Sequence, residues 1–237
     1  MTIDVIGEFI GTLLLIFLGD GVVANVSLRH SKGENAGWVA IAMGWGFAVG
    51  VAAYATGHLG PAHLNPAVSL AFAISGDITW LVFMKYVIAQ MLGGLLGAIL
   101  VWVMYRPHFE ETEDPATILG VFATGPAIRS YGDNFISEVL GTFVLVFGIM
   151  AFGYTEMAPG FGTTVVAMLI MSIGLSLGGP TGYAINPARD LAPRIVHAIL
   201  PITHKGDSDW GYSWIPIVGP LVGGIIAALI ISWIPVV

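Results

Sequence analysis

The sequence contains no cysteine and very little charge: 10% of its residues are Asp, Glu, Lys or Arg, against 56% that are hydrophobic. Without thiols there is no disulfide framework and no thiolate metal site, and no redox compartment can be inferred. The shortage of charge excludes a soluble globular domain, in which about a quarter of residues are charged, and a mean hydropathy of +0.86 agrees. Lys and Arg number 8 against 15 Asp and Glu, so no nucleic-acid partner is expected. Much of the net charge of −7 lies in Glu110, Glu111, Glu113 and Asp114, which read as a solvated loop.

What the chain has instead is apolar runs, at residues 5–27, 38–56, 81–105, 135–153, 161–179 and 214–234. Each meets the requirement of roughly 20 residues for a ~30 Å hydrocarbon core, which predicts an all-α membrane protein with six transmembrane helices. These spans leave no room for a separate soluble domain, so residues 1–237 read as one transmembrane domain. No basic residue precedes the first run and no small-residue cleavage site follows it, so it reads as an anchored helix and not as a removed signal peptide.

The chain also repeats itself. GEFIGTLLLIFLG at 7–19 aligns with SEVLGTFVLVFG at 137–148, matching Glu8 to Glu138, and QMLGG at 90–94 answers PLVGG at 220–224. The repeats run over about 1–110 and about 130–237, joined by a loop over about 106–133. Each half holds three spans, an odd number, so the second copy must enter the membrane from the opposite side. The result is an inverted repeat.

Each half also carries Asn-Pro-Ala after a Gly/Pro-rich stretch: Asn65, Pro66 and Ala67, then Asn186, Pro187 and Ala188. The apolar segments that follow, 66–75 and 187–196, are half of a span and fit re-entrant half-helices. Proline suits the first helical position, where its missing N–H costs nothing. Asparagine is then the N-cap, its side-chain oxygen accepting first-turn N–H groups and its NH₂ left as a donor. Two such N-termini meeting at mid-membrane form a positive, hydrogen-bonding constriction. The residues before each cap must be non-helical, which is tolerated only where backbone lines a wet cavity. Pro61, Ala62, His63 and Leu64, with Gly182, Tyr183, Ala184 and Ile185, would present a file of carbonyl acceptors opposite apolar side chains. A solute with hydroxyls on one edge and CH groups on the other matches such a track.

The paired motifs, HLNPAVSLA and INPARDLAP, resemble those of the aquaporin/major intrinsic protein family, and within it the glycerol uptake facilitators. The resemblance covers essentially the whole chain. It implies six tilted helices, two half-helices, one pore per protomer and a homotetramer in the plasma membrane, with cytoplasmic termini and no cofactor. By the same resemblance the selectivity filter falls on Trp45, Gly174, Tyr183 and Arg189. Glu8 and Glu138 could be proton carriers, but their repeat-related placement favours a structural role, accepting N–H groups from the broken loops and fixing their carbonyls. Asp190, Arg194 and Pro216 match the polyol subfamily. Tyr183 and Ile217 depart from it, standing where glycerol facilitators usually carry Phe and Leu. The implied permeants are glycerol and water, with ions and protons excluded and undissociated lactic acid a candidate suggested by the Tyr183 hydroxyl.

Rival readings are a water-selective aquaporin, a secondary transporter and an enzyme. A transporter would want an acidic coupling-ion site at the helix breaks, which here carry Asn and Ala. An enzyme would need a positioned nucleophile and base; Ser69 and Ser75 have no plausible base nearby in the pattern. His63 reads as a hydrogen-bonding residue of the pore wall, and His197 has no assigned role. Orientation sets one rule against the resemblance. With the family's topology, Arg29, Lys32, Arg106, Arg129 and Lys205 lie outside and Lys85 nearly alone inside, the reverse of the positive-inside expectation. The order of half-helices and filter takes precedence here.

Overall fold

The computed structural model describes residues 2–234. Among the described residues it holds nine helices: α1 (Ile3–Ser27), α2 (Trp38–Thr56), α3 (Pro66–Ile74), α4 (Trp80–Glu110), α5 (Pro115–Phe122), α6 (Tyr131–Phe152), α7 (Phe161–Leu177), α8 (Pro187–Ile199) and α9 (Ile215–Trp233). Six of them, α1, α2, α4, α6, α7 and α9, are the expected spans; α3 and α8 are the half-helices. The long helices invert the soluble pattern. Large apolar side chains such as Tyr54, Leu81, Val103, Leu140 and Leu229 face outward, whereas Glu8, Asp20, Gln90, Glu138 and Arg189 are buried. This arrangement suits lipid outside and a polar path inside.

Packing follows a twofold pattern. Helix α1 lies against α4 and α2, as α6 lies against α9 and α7; α2 meets α7 across the centre. The half-helices cross over, α3 packing on α9 and α8 on α4. Two glycine pairs make these contacts close. A Cβ on Gly93 would sit 2.3 Å from the Phe9 carbonyl oxygen, and one on Gly223 would sit 2.3 Å from that of Val139. Their neighbours admit the half-helices: a Cβ on Gly94 would lie 2.9 Å from Ala192 Cβ, and one on Gly224 would lie 2.9 Å from the Ala67 carbonyl oxygen. Small residues permit such backbone approach in membranes.

The segment read as a solvated loop is a correction. Helix α4 runs on through Arg106, Pro107 and His108 to Glu110, and α5 follows at once. Asp114 caps α5 by accepting from Thr117 N at 3.0 Å, while Ile118, Val121 and Phe122 are fully buried. The acids mark the solvated edge, but the apolar residues behind them fold against α1 and α8.

Candidate functional site

The two half-helices start as their sequences predict. Asn65 Oδ1 accepts from Ala67 N at 2.8 Å, and Asn186 Oδ1 accepts from Ala188 N at 3.0 Å and Arg189 N at 3.2 Å. Pro66 and Pro187 occupy the first helical positions, and Ala67 and Ala188 are fully buried behind them. The amide NH₂ groups are not left free. Asn65 Nδ2 donates to Ile185 O at 2.7 Å, and Asn186 Nδ2 donates to Leu64 O at 2.8 Å. Each cap thus reaches across to the carbonyl preceding the other cap. An NH₂ has two protons, so the bond that ties the half-helices together leaves each amide with a second donor.

The chain ahead of each cap takes a costly conformation. Ala62 and Leu64 have φ of 51° and 52°, and Tyr183 and Ile185 have 40° and 44°; left-handed backbone costs about 1–2 kcal/mol per non-glycine residue. Buried carboxylates hold it there. Glu8 accepts from His63 N at 2.6 Å and Leu64 N at 2.7 Å, and Glu138 accepts from Ala184 N at 3.0 Å and Ile185 N at 2.9 Å. Taking the N–H groups from behind leaves the carbonyls facing the opposite way. A side-chain donor completes each carboxylate: Gln90 Nε2 to Glu8 at 2.7 Å, Thr181 Oγ1 to Glu138 at 2.7 Å. The second half has Pro220 where the first has Gln90, so a loop threonine serves instead.

A cavity of about 550 Å³ runs between the halves. Its walls include Pro61, Ala62, His63 and Leu64, with Tyr183, Ala184 and Ile185, and both Asn caps; Leu15, Val49, Val68, Leu145 and Ile170 supply apolar surface. Gly182 does not line it; φ of 80° turns the chain there, and its N–H bonds Gly178 O at 2.8 Å. His63 is in the wall, stacked on Phe72 with ring centroids 4.6 Å apart and Nδ1 3.2 Å from Ser69 Oγ. Trp45, Tyr183 and Arg189 also belong to it. The Arg189 guanidinium lies 3.9 Å above the Trp45 ring centroid, a cation–π contact.

Two filter residues sit differently from expectation. Gly174 is absent from the cavity wall because the Tyr183 ring covers it, and a Cβ there would meet Tyr183 Cζ at 2.8 Å. Trp38 supports the same ring edge-on at 5.7 Å and donates to Gly174 O at 2.9 Å. The Tyr183 hydroxyl is buried and bonds nothing among the described residues.

The subsidiary residues form a clamp. Arg194 Nε donates to Asp190 Oδ1 at 2.8 Å, and both side chains are fully buried. Asp190 Oδ2 accepts from Thr124 N and Oγ1, each at 2.7 Å, and Arg194 also donates to Ser208 O at 2.8 Å. The pair therefore pins α8 to the chain on both sides of it. Pro216 is the second residue of α9 and is buried; Ile217 follows in the first turn, half-buried. His197 gains a role, with Nδ1 2.8 Å from Ser208 Oγ and Nε2 3.1 Å from Lys205 O. Lys205 in turn donates to His197, Ala198 and Leu200 carbonyls at 3.0, 2.7 and 2.6 Å, satisfying the orphan acceptors at the end of α8. Sequence reasoning missed Gly19 and Asp20. The Trp45 ring rests on Gly19, where a Cβ would come within 2.2 Å, and Asp20 Oδ1 lies 3.3 Å from Arg189 Nη1. The available signal was an acid inside an apolar span, which is functional by default.

Comparison with known proteins agrees with this geometry. The family model described as "Major intrinsic protein" matches residues 2–231. The chain is 58% identical over 235 residues to "Glycerol uptake facilitator protein 3" of Lactiplantibacillus plantarum, covering 99% of this chain and 98% of the relative. It is 42% identical over 232 residues to the "D/L-lactic acid transporter" of the same organism, with 96% of each covered. The solved structure of the aquaglyceroporin from Plasmodium falciparum superposes with a TM-score of 0.87 at 29% identity, over 98% of this chain and 96% of that one.

Proposed function

The chain belongs to the major intrinsic protein family, whose members are membrane channels and not enzymes, and from that premise we propose that it is a passive channel for glycerol. The observation that carries the proposal is the mixed lining of the cavity: the non-helical residues 61–64 and 183–185, four of whose N–H groups are taken by Glu8 and Glu138, together with apolar Leu15, Val49, Val68 and Ile170. Glycerol's hydroxyls replace lost water contacts along the carbonyls, and its CH groups lose little against the apolar wall. Trp45 and Arg189 form the selective end, Trp45 against the carbon chain and Arg189 donating to hydroxyls. Water passes by the same donors and acceptors. Ions are excluded because the site cannot replace their hydration, and cations also meet two positive helix ends. The relatives' printed names support the glycerol reading.

The accompanying proposals are two inverted repeats over about 1–110 and 130–237 joined by the segment 106–133, a homotetramer, and insertion in the plasma membrane with both termini cytoplasmic. The filter then faces outward, since Arg189 pairs with Asp20 near the end of α1 while the cavity's other mouth includes Gly60, which packs against Asp4 near its start. In proteoliposomes exposed to a glycerol gradient, stopped-flow light scattering is expected to show swelling well above empty liposomes, linear in gradient and independent of Na⁺ or H⁺ gradients. Water flux without glycerol flux would replace this reading by a water-selective channel, and saturating, ion-driven flux would replace it by a transporter.

Undissociated lactic acid is a second permeant, favoured by the Tyr183 hydroxyl, which has no partner of its own. Tyr183 lines the cavity, so a shift of the side chain about Cα–Cβ would bring the hydroxyl to a passing solute, and a polar group that needs a partner discriminates for the solute that supplies one. Lactic acid flux should rise as pH falls towards the acid's pKa, because the neutral fraction grows and the carboxylate is excluded. Tyr183→Phe should lower the lactic acid to glycerol permeability ratio several-fold at fixed pH. Equal ratios in the two proteins would remove the hydroxyl from selectivity.

A further inference from the structure

We infer that Asp20 is a positioning residue of the filter, the resident counter-ion that holds Arg189 against Trp45 and cancels its charge; this rests on the channel reading above. Asp20 is fully buried within α1. Its Oδ1 is 3.3 Å from Arg189 Nη1, and its Oδ2 has no partner among the described residues. The other contacts of the guanidinium are weaker guides: the Trp45 face at 3.9 Å and the Phe122 carbonyl oxygen at 3.5 Å. The nearby acid of α8, Asp190, is already committed to Arg194 and Thr124. Asp20 is therefore the one carboxylate in contact with Arg189 among the described residues.

Two neighbouring residues of α1 thus build the same end of the cavity. Gly19 makes room for the Trp45 ring, and Asp20 fixes the cation stacked on it. The pairing matters for selectivity as well as for shape. A lone buried guanidinium would be an anion site in the permeation path, whereas the pair offers donors to a neutral solute without a net charge to trap an anion. Conversely, removing the arginine alone would leave an unpaired carboxylate facing the pore, a site that attracts cations.

The pair predicts a pattern across four proteins in proteoliposomes: the parent, Asp20→Asn, Arg189→Val and the double variant, measured with glycerol, nitrate and sodium. Asp20→Asn should raise the nitrate to glycerol flux ratio by about tenfold, equivalent to about 1.4 kcal/mol in relative barriers. Arg189→Val should leak sodium, and the double variant should return sodium leak to the parent's level. The double variant carries neither buried charge, so it avoids an uncompensated ion in the fold; a size-exclusion profile matching the parent's verifies this. An unchanged nitrate to glycerol ratio in Asp20→Asn, or a double variant that leaks sodium as fast as Arg189→Val, would overturn the assignment. Failure of the parent to pass glycerol would sink the channel reading separately, because the nitrate and sodium comparisons are scored against the parent.

Discussion

Glu138→Ala is expected to abolish glycerol flux and to lower thermal stability by several kcal/mol. The side chain is buried and serves three donors at once, Thr181 Oγ1 at 2.7 Å, Ala184 N at 3.0 Å and Ile185 N at 2.9 Å. Each buried donor left without a partner costs about 1–3 kcal/mol. Those bonds also hold Tyr183 and Ile185 at positive φ. Once released, these residues can relax out of the left-handed region, which turns their carbonyls from the cavity and loosens the Asn65 bond to Ile185 O. Glu138→Gln keeps one oxygen acceptor and should retain part of both properties. Flux per inserted protein, together with melting temperature in detergent, checks the expectation; a Glu138→Ala protein with parental values for both would rule out the loop-holding role. Glu8→Ala should behave similarly through His63 and Leu64.

Gly93→Ala and Gly223→Ala should each prevent a correctly packed bundle from forming. The added methyl carbon would lie 2.3 Å from a backbone oxygen, that of Phe9 in one case and Val139 in the other. A backbone carbonyl inside a helix cannot rotate away, so α4 must part from α1, or α9 from α6. Overpacking of this kind costs about 1–3 kcal/mol or more, and the displacement carries further because α4 and α9 also support the half-helices. Loss of the monodisperse size-exclusion peak and of glycerol flux is expected. Gly21→Ala provides the control: nothing lies within 4 Å of its added carbon, and alanine favours a helix by up to about 1 kcal/mol over glycine. Parental behaviour of both interface variants would mean that the helices do not cross as closely as described.

Much of this architecture was legible because it is encoded locally. Continuous apolar runs identify spans wherever they occur, and Asn-Pro marks a helix start by its own stereochemistry, so α1, α2, α7 and α3 lie within one or two residues of their sequence-based limits. Helices with polar ends were read too short. Helix α8 runs three residues beyond 196, past a buried His197 held by Ser208 and Lys205, and α6 begins four residues before 135. Polarity along the chain reads as a signal to stop, but partners supplied by other segments allow these residues to continue the helix. Helix α5 was missed for a related reason: its acids, which end at the Asp114 cap, dominate the local composition, while the surfaces that bury Ile118 and Phe122 belong to distant helices.

The sequence alone determined the solvent, the number of spans, the internal repetition, the two caps and the residue types available to a filter, since each depends on composition or on neighbours along the chain. The tertiary structure decided which of those groups meet. Asn65 reaches Ile185 and Asn186 reaches Leu64, separated by 120 and 122 residues, and Arg189 finds Asp20 across 169. It also decided that Gly174 seats Tyr183 instead of lining the cavity, and that the tyrosine hydroxyl lacks a partner. No periodicity records such pairings, because hydrogen bonds and ion pairs depend on distances of a few ångströms that exist only once helices from both halves have packed around the same cavity.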